Sequence, residues 1–200
     1  SGHVACALVD GESTIIAARA GNPQKLLLLR PRGLAAIAVV TTYGGGLVAG
    51  DRIELDAAVH PGGRLLLTTQ ASTKVYRSAD GGTARQELDC AVGEGALLAV
   101  LPDPVCPFAD ARYAQRQRIA LTPNASIALL DWVSAGRTAR GERWAFTRYE
   151  SRTRIERGGR PLLIDQIRLE PGTSDVAERK GDIGCNALLT LFGPLCAPLV

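Results

Sequence analysis

The sequence contains no methionine and only two histidines, His3 and His60, among its 200 residues. A metal centre built on imidazole needs more histidine than this, so any metal handled here would be bound by cysteine, carboxylate or a partner's side chains. The five cysteines show no Cys-x-x-Cys spacing, so they resemble neither a zinc site nor a disulfide framework. They favour a reducing compartment, and we predict a cytoplasmic protein.

Long apolar runs and a strong charge excess are also missing. The longest apolar stretches, residues 33–40 and 96–101, fall well short of the roughly 18 residues that a membrane-spanning helix needs. Twenty-three Lys and Arg against 20 Asp and Glu leave a formal charge of +3, too small to indicate a nucleic-acid or membrane partner. Because 46% of the residues are hydrophobic, the chain can bury a core, and we predict one domain over residues 1–200.

Helical patterns are scarce, and strand-like runs dominate. Residues 52–59 alternate polar and apolar, as a half-buried strand does. Strand-like runs separated by Gly, Pro, Asn and Asp turns indicate an all-β sandwich, barrel or solenoid. The further runs cover residues 25–29, 34–42, 64–69, 83–92, 96–101, 116–121, 126–133, 144–155 and 162–169. One short helix is predicted over residues 174–180 with Ser174 as N-cap, whereas residues 185–192 fit helix or strand.

The glycine-rich segment 44–51, Gly-Gly-Gly-Leu-Val-Ala-Gly-Asp, invites a phosphate-binding interpretation. From Gly45 to Gly50 it meets the G-x-x-x-x-G spacing, but Asp51 stands where a phosphate loop has its lysine. The dinucleotide pattern that starts at Gly44 lacks the helix and the βαβ context it requires. The segment therefore favours a turn between two strands that needs glycine backbone conformations.

Two further segments carry candidate polar and metal-binding groups. Residues 68–78 place many hydroxyls beside Lys74 and Arg77, which fits a polar channel, a docking surface or a solvated strand edge. Residues 101–108 hold three prolines, which predicts a rigid extended loop and not a central strand. Cys106 in that loop is the best candidate among the cysteines for metal contact, and simple packing is the alternative.

The segment 131–144 concentrates charged residues between two tryptophans. Interfaces are enriched in Trp and Arg, so a partner surface is one interpretation. The other is a long hairpin loop in which Asp131 and Glu142 pair internally with arginines. The residues assigned to the partner surface are Trp132, Arg137 and Arg140.

Four of these segments together resemble the urease accessory proteins of the D type, called H in some organisms. Residues 44–51, 68–78, 101–108 with 111–113, and 136–142 occur in the order and spacing of that family. The resemblance implies a two-layered, β-helix-like fold of many short strands with one or two short helices. Family members usually continue well beyond this length, so we expect a chain shortened at its C-terminal end.

The resemblance also implies a non-enzymatic chaperone. Such a protein binds apo-urease, forms a complex with the F-type accessory protein and the G-type GTPase, and helps to deliver nickel to urease. No tightly bound cofactor is expected, only transient nickel. The lack of a phosphate loop in this chain fits the scaffold and not the GTPase.

A polar route for nickel through the protein interior is the mechanistic hypothesis. Hydroxyls and carboxylates would bind a borderline cation weakly enough to release it, whereas a His/Cys cage would trap it. Two other classes stay open: a carbohydrate enzyme, for which no spacing pairs two carboxylates, and a passive interaction module without a metal role. The predicted route residues are Thr68, Thr69 and Ser72 as polar groups and Cys106, Asp131 and Glu142 as transient metal ligands.

Overall fold

A computed structural model describes residues 1–30, 33–171 and 176–199. Within these residues the chain forms fifteen strands and one α-helix, α1 (Val176–Lys180), which is not long or apolar enough to cross a membrane. Three short 3-10 segments cover Tyr43–Gly45, Thr138–Arg140 and Pro194–Leu199. The strands are β1 (Gly2–Val9), β2 (Glu12–Arg19), β3 (Gln24–Leu29), β4 (Ala36–Thr42), β5 (Arg52–Val59), β6 (Arg64–Thr69), β7 (Thr73–Val75), β8 (Ala84–Val92), β9 (Leu97–Val100), β10 (Val105–Pro107), β11 (Arg112–Leu121), β12 (Ser126–Ser134), β13 (Arg148–Arg157), β14 (Arg160–Leu169) and β15 (Cys185–Phe192).

The strands form two sheets that pack face to face. The first sheet has the order β14-β13-β11-β8-β5-β1-β2, and the second has the order β3-β4-β6-β9-β12-β10-β7, with β15 antiparallel to β12. From β4 to β13 the chain passes back and forth between the sheets, so that β5, β8, β11 and β13 stack in parallel, as do β4, β6, β9 and β12. This stacking confirms the predicted all-β, two-layered and β-helix-like fold.

Most strand predictions are confirmed, and one is wrong. The proline-rich segment was expected to contain no central strand, but β10 pairs with β7 on one side and with β12 on the other. The prolines lack N–H donors, yet their carbonyls still accept, and the Thr73 N–H donates to the Pro104 carbonyl at 3.0 Å. Residues 185–192 are a strand, and the predicted N-cap Ser174 lies outside the described residues.

Two apolar clusters fill the space between the sheets. The larger is aliphatic and includes Leu65, Leu98 and Ile127, each no more than 1% exposed. The smaller is aromatic and includes Tyr113 and Trp144. The inward-facing residues of β11 begin in the aromatic cluster and end in the aliphatic cluster. The inward-facing residues of β11 that lie between the two clusters form a separate interior layer.

The glycine-rich segment is a turn between β4 and β5, as predicted. Its backbone has positive φ at Gly44 (80°) and Gly45 (71°), which glycine adopts at little cost. Gly46 has extended backbone but no room for a side chain: a Cβ there would lie 2.6 Å from the Tyr76 ring and 2.8 Å from the Lys74 carbonyl oxygen. The turn is thereby fixed against β7.

Gly46→Ala is expected to lower the unfolding free energy by about 1–3 kcal/mol because the methyl group displaces β7. Urea denaturation followed by circular dichroism measures the change. Gly184→Ala is the matched control, since a Cβ at Gly184 meets no atom within 4 Å. Equal stability of the two variants would contradict the close approach at Gly46.

Candidate functional site

A layer of polar side chains crosses the interior between the two apolar clusters. Ser151 is 0% exposed, Thr153 is 2% exposed and Gln117 is 8% exposed. The parallel register places Gln86 beside Gln115 and Gln115 beside Ser151, so these polar groups form a row across three strands of the first sheet. Buried polar groups are stable only when they are hydrogen-bonded, so the row requires an internal network.

Asp131 of β12 reaches this row from the second sheet. Its Oδ1 accepts a hydrogen bond from Gln115 Nε2 at 2.6 Å, and its Oδ2 accepts from Ser151 Oγ at 2.5 Å. The Tyr113 hydroxyl lies 3.0 Å from Gln86 Oε1 and 3.1 Å from Gln115 Oε1, and it can donate to either. The network therefore joins both sheets through one carboxylate.

Asp131 is largely buried, and a second carboxylate, that of Asp165, lies close enough to act on it. Burial raises its pKa above the ordinary value, against the lowering effect of the hydrogen bonds from Ser151 and Gln115. The Tyr113 hydroxyl also has a raised pKa, chiefly from burial and then from the charge of Asp131. No described Lys, Arg or His forms an ion pair with Asp131. An incoming cation would therefore stabilise this carboxylate.

The raised pKa of Asp131 predicts a specific pH dependence of stability. The folded chain keeps the proton to higher pH than the unfolded chain, so the unfolding free energy falls as pH rises through the window between the two pKa values. Asp131→Asn removes this contribution. The unfolding free energy is measured by urea denaturation at about pH 4 and at about pH 8. It should fall by a larger amount between these two pH values in the wild type than in the variant. Identical losses would contradict the raised pKa.

A cavity of about 60 Å³ opens beside Asp131 and is large enough for a few water molecules. Its lining includes Thr68, Thr69 and Trp132. A second cavity of about 150 Å³ extends to Ser72 and the glycine-rich turn. The two cavities adjoin, because both are lined by Val40, Thr69, Thr73 and Gln86.

The wall of the first cavity is tied to the proline-rich segment. Thr68 Oγ1 donates to the Leu101 carbonyl at 2.7 Å, and Thr69 Oγ1 accepts from the Asp103 N–H at 2.8 Å. Trp132 Nε1 donates to the Pro102 carbonyl at 2.8 Å. These bonds leave the carboxylate of Asp103 on the cavity wall near Thr69.

Glu142 lies in a different place, on a surface cavity with Arg137 and Phe108. Arg137 Nε donates to Glu142 Oε2 at 2.9 Å, and a second donor of the same guanidinium reaches Oε1. Glu142 Oε2 also accepts from the Ala109 N–H at 3.1 Å, and the guanidinium stacks 4.1 Å from the centre of the Phe108 ring. This ion pair lowers the pKa of Glu142. Both oxygens of the carboxylate accept hydrogen bonds from other residues of the chain.

The predicted site residues therefore divide into two groups. Around the two adjoining cavities lie Thr68, Thr69, Ser72, Asp131 and Trp132. Neither cavity lining contains the remaining four, Cys106, Arg137, Arg140 and Glu142. In the described ranges, no group of three or more His, Cys, Asp or Glu is placed to hold a metal ion.

Sequence reasoning missed the interior glutamines and their hydroxyl partners. The signal was present in the alternation of β11, where Tyr113, Gln115, Gln117 and Ile119 occupy successive inward positions. Glutamine at an inward position between two apolar ones indicates a buried polar network. The residues missed in this way are Gln86, Gln115, Gln117, Ser151 and Thr153.

The geometry defines a class of protein: a two-layered β-helix with two adjoining polar cavities and, in its described residues, no clustered metal ligands. Residues 1–199 match the family model described as UreD urease accessory protein. The chain therefore belongs to the UreD urease accessory protein family.

Curated relatives agree with this assignment. The urease accessory protein UreD of Sorangium cellulosum is 47% identical over 197 residues, which cover 98% of this chain and 62% of the relative. The UreD of Anaeromyxobacter sp. is 46% identical over 98% of this chain and 66% of the relative. The urease accessory protein D of Oryza sativa subsp. indica is 38% identical over 97% of this chain and 65% of the relative. The chain thus spans slightly less than two thirds of the length of these relatives.

Proposed function

We propose that this chain is a scaffold of urease maturation, a non-enzymatic chaperone that docks onto the urease apoprotein and provides a passage for nickel. The observation that carries the proposal is the hydrogen-bonded carboxylate of Asp131 beside two adjoining cavities. Family membership supports the role in urease maturation, and the interior geometry supports the passage.

The chemistry of the passage suits a cargo that must be released. Nickel binds imidazole and thiolate groups firmly, whereas hydroxyl, amide and single carboxylate oxygens hold it more weakly. The two cavities are lined by three residues that carry hydroxyls and two that carry carboxylates: Thr68, Thr69, Ser72, Asp103 and Asp131. A partly hydrated ion would exchange these ligands one after another and would not be trapped.

Energy for the delivery would come from partners. The glycine-rich turn is closed by Asp51, whose Oδ2 accepts the Val48 N–H at 2.9 Å, so its carboxylate occupies the loop that a phosphate would need. We assign GTP hydrolysis to the G-type accessory GTPase and a shared docking platform to the F-type accessory protein. The five cysteines are all free, which suits assembly in the cytoplasm.

Size-exclusion chromatography with light scattering tests the scaffold role. The chain is mixed with apo-urease and, separately, with the F-type accessory protein, and the Sorangium cellulosum relative serves as the positive control. Co-elution with either partner supports the proposal. Failure with both partners, while the relative co-elutes, would show that these residues alone are not the scaffold.

A further inference from the structure

Six arginines form a double row on the outer face of the first sheet, which we call the arginine ladder. The parallel register of β11 and β13 places three pairs of arginines directly side by side. They share the face opposite to the interior, because Tyr113, Gln117 and Ile119 of β11 point inward. The pairs are Arg112 with Arg148, Arg116 with Arg152, and Arg118 with Arg154.

Like charges on directly opposed strand positions destabilise a sheet, so the ladder carries a cost in stability. Part of this repulsion is relieved internally: Arg116 pairs with Glu87, and Arg154 pairs with Glu156. Arg118 and Arg152 are exposed, and neither forms an ion pair with any residue in the described part of the chain. Two exposed guanidinium groups are therefore without a carboxylate partner within the described part of the chain.

Acidic residues border the ladder on the neighbouring strands. Glu87 and Asp89 of β8 flank it, and Glu54 and Asp56 of β5 lie one strand further, in the same rows. A polyphosphate backbone crossing this face would meet these carboxylates and be repelled. A short acidic segment of a protein fits better, because its carboxylates can be confined to the width of two strands, about 5 Å apart.

We propose that the arginine ladder is a docking surface for an acidic segment of a protein partner, with carboxylates bound by Arg118 and Arg152. Guanidinium groups bind carboxylates through two parallel hydrogen bonds, which lysine cannot do. The part of the repulsion that the internal ion pairs do not relieve is offset when the partner is bound. This interaction is separate from the nickel passage and does not depend on it.

Fluorescence anisotropy with labelled poly-L-glutamate tests the proposal. The double variant Arg118→Ala with Arg152→Ala should bind about tenfold more weakly than the wild type, because two charge-assisted contacts are lost. Its melting temperature should be equal or higher, since cross-strand repulsion is relieved. Arg19→Ala is the matched control: Arg19 is an exposed arginine on β2, roughly 20 Å away across the same sheet, and its loss should leave binding unchanged.

Three results would overturn the proposal. The first is that the wild type does not bind poly-L-glutamate at low salt. The second is that the wild type and the double variant bind it equally well. The third is that the wild type binds a single-stranded oligothymidylate more tightly than poly-L-glutamate. None of these measurements contains urease or nickel. The binding results would therefore be the same whether or not the chain acts in urease maturation.

Discussion

Urease matured with the Asp131→Asn variant is expected to contain about tenfold less nickel than urease matured with the wild type. The substitution keeps the shape of the side chain and one acceptor oxygen, but it removes the negative charge from the cavity wall. Asp131 is the carboxylate on which Gln115 and Ser151 converge, so its charge is fixed in position for a passing cation. Nickel per urease active site, measured by mass spectrometry, reports the effect.

The test at Asp131 depends on the choice of substitution and on one control. Asp131→Ala leaves the buried donors of Gln115 and Ser151 without an acceptor, which costs about 1–3 kcal/mol of stability, so asparagine is the cleaner substitution. Asp56→Asn removes an exposed carboxylate from the outer face of β5 and should leave the nickel content unchanged. Normal nickel loading with Asp131→Asn would exclude this carboxylate from the passage.

Trp144→Ala is expected to lower the unfolding free energy by about 3–5 kcal/mol, the largest stability change that we predict for a single residue. The side chain is 1% exposed and lies edge-on to the Phe146 ring, with 6.0 Å between the ring centres. Its Nε1 donates to the Ile183 carbonyl at 3.2 Å. The indole therefore connects the aromatic cluster to the chain segment that precedes β15.

Urea denaturation followed by far-ultraviolet circular dichroism measures this loss without relying on tryptophan fluorescence. Trp132→Ala is the control. Because Trp132 is only half-buried, its replacement should lower the unfolding free energy by less than Trp144→Ala does. A loss below about 1 kcal/mol for Trp144→Ala would contradict the burial that the structure gives this side chain.

Alternation along single strands was readable from the sequence, whereas the stacking of strands was not. Residues 52–59 and 64–69 were predicted with the bounds of β5 and β6, because apolar side chains repeat there every second residue or run continuously. β1 and β2 were missed, since their apolar residues show weaker alternation and β2 is largely exposed. The parallel register depends on contacts between residues far apart in the chain, which no local pattern encodes.

The candidate site was predictable to a similar extent. Thr69 and Asp131 were selected from separate segments, and the fold brings them to one cavity. Glu142 was selected with them, but the turn at Thr138–Arg140 folds its carboxylate back onto Arg137, as the internal-pairing alternative proposed. Its assignment as a nickel ligand stays a prediction. The conformation of the backbone turn determines which arginine pairs with a carboxylate in a loop. The sequence does not specify that conformation.

Obstruction of the passage tests the central claim most directly. Thr73 lines both cavities where they adjoin, and Thr73→Phe would fill that junction. Thr14→Phe, at an exposed position of β2, is the matched control. We predict that urease matured with Thr73→Phe contains only a small fraction of the nickel found with Thr14→Phe, while both variants still co-elute with apo-urease. Full nickel loading with Thr73→Phe would contradict an interior route through this protein.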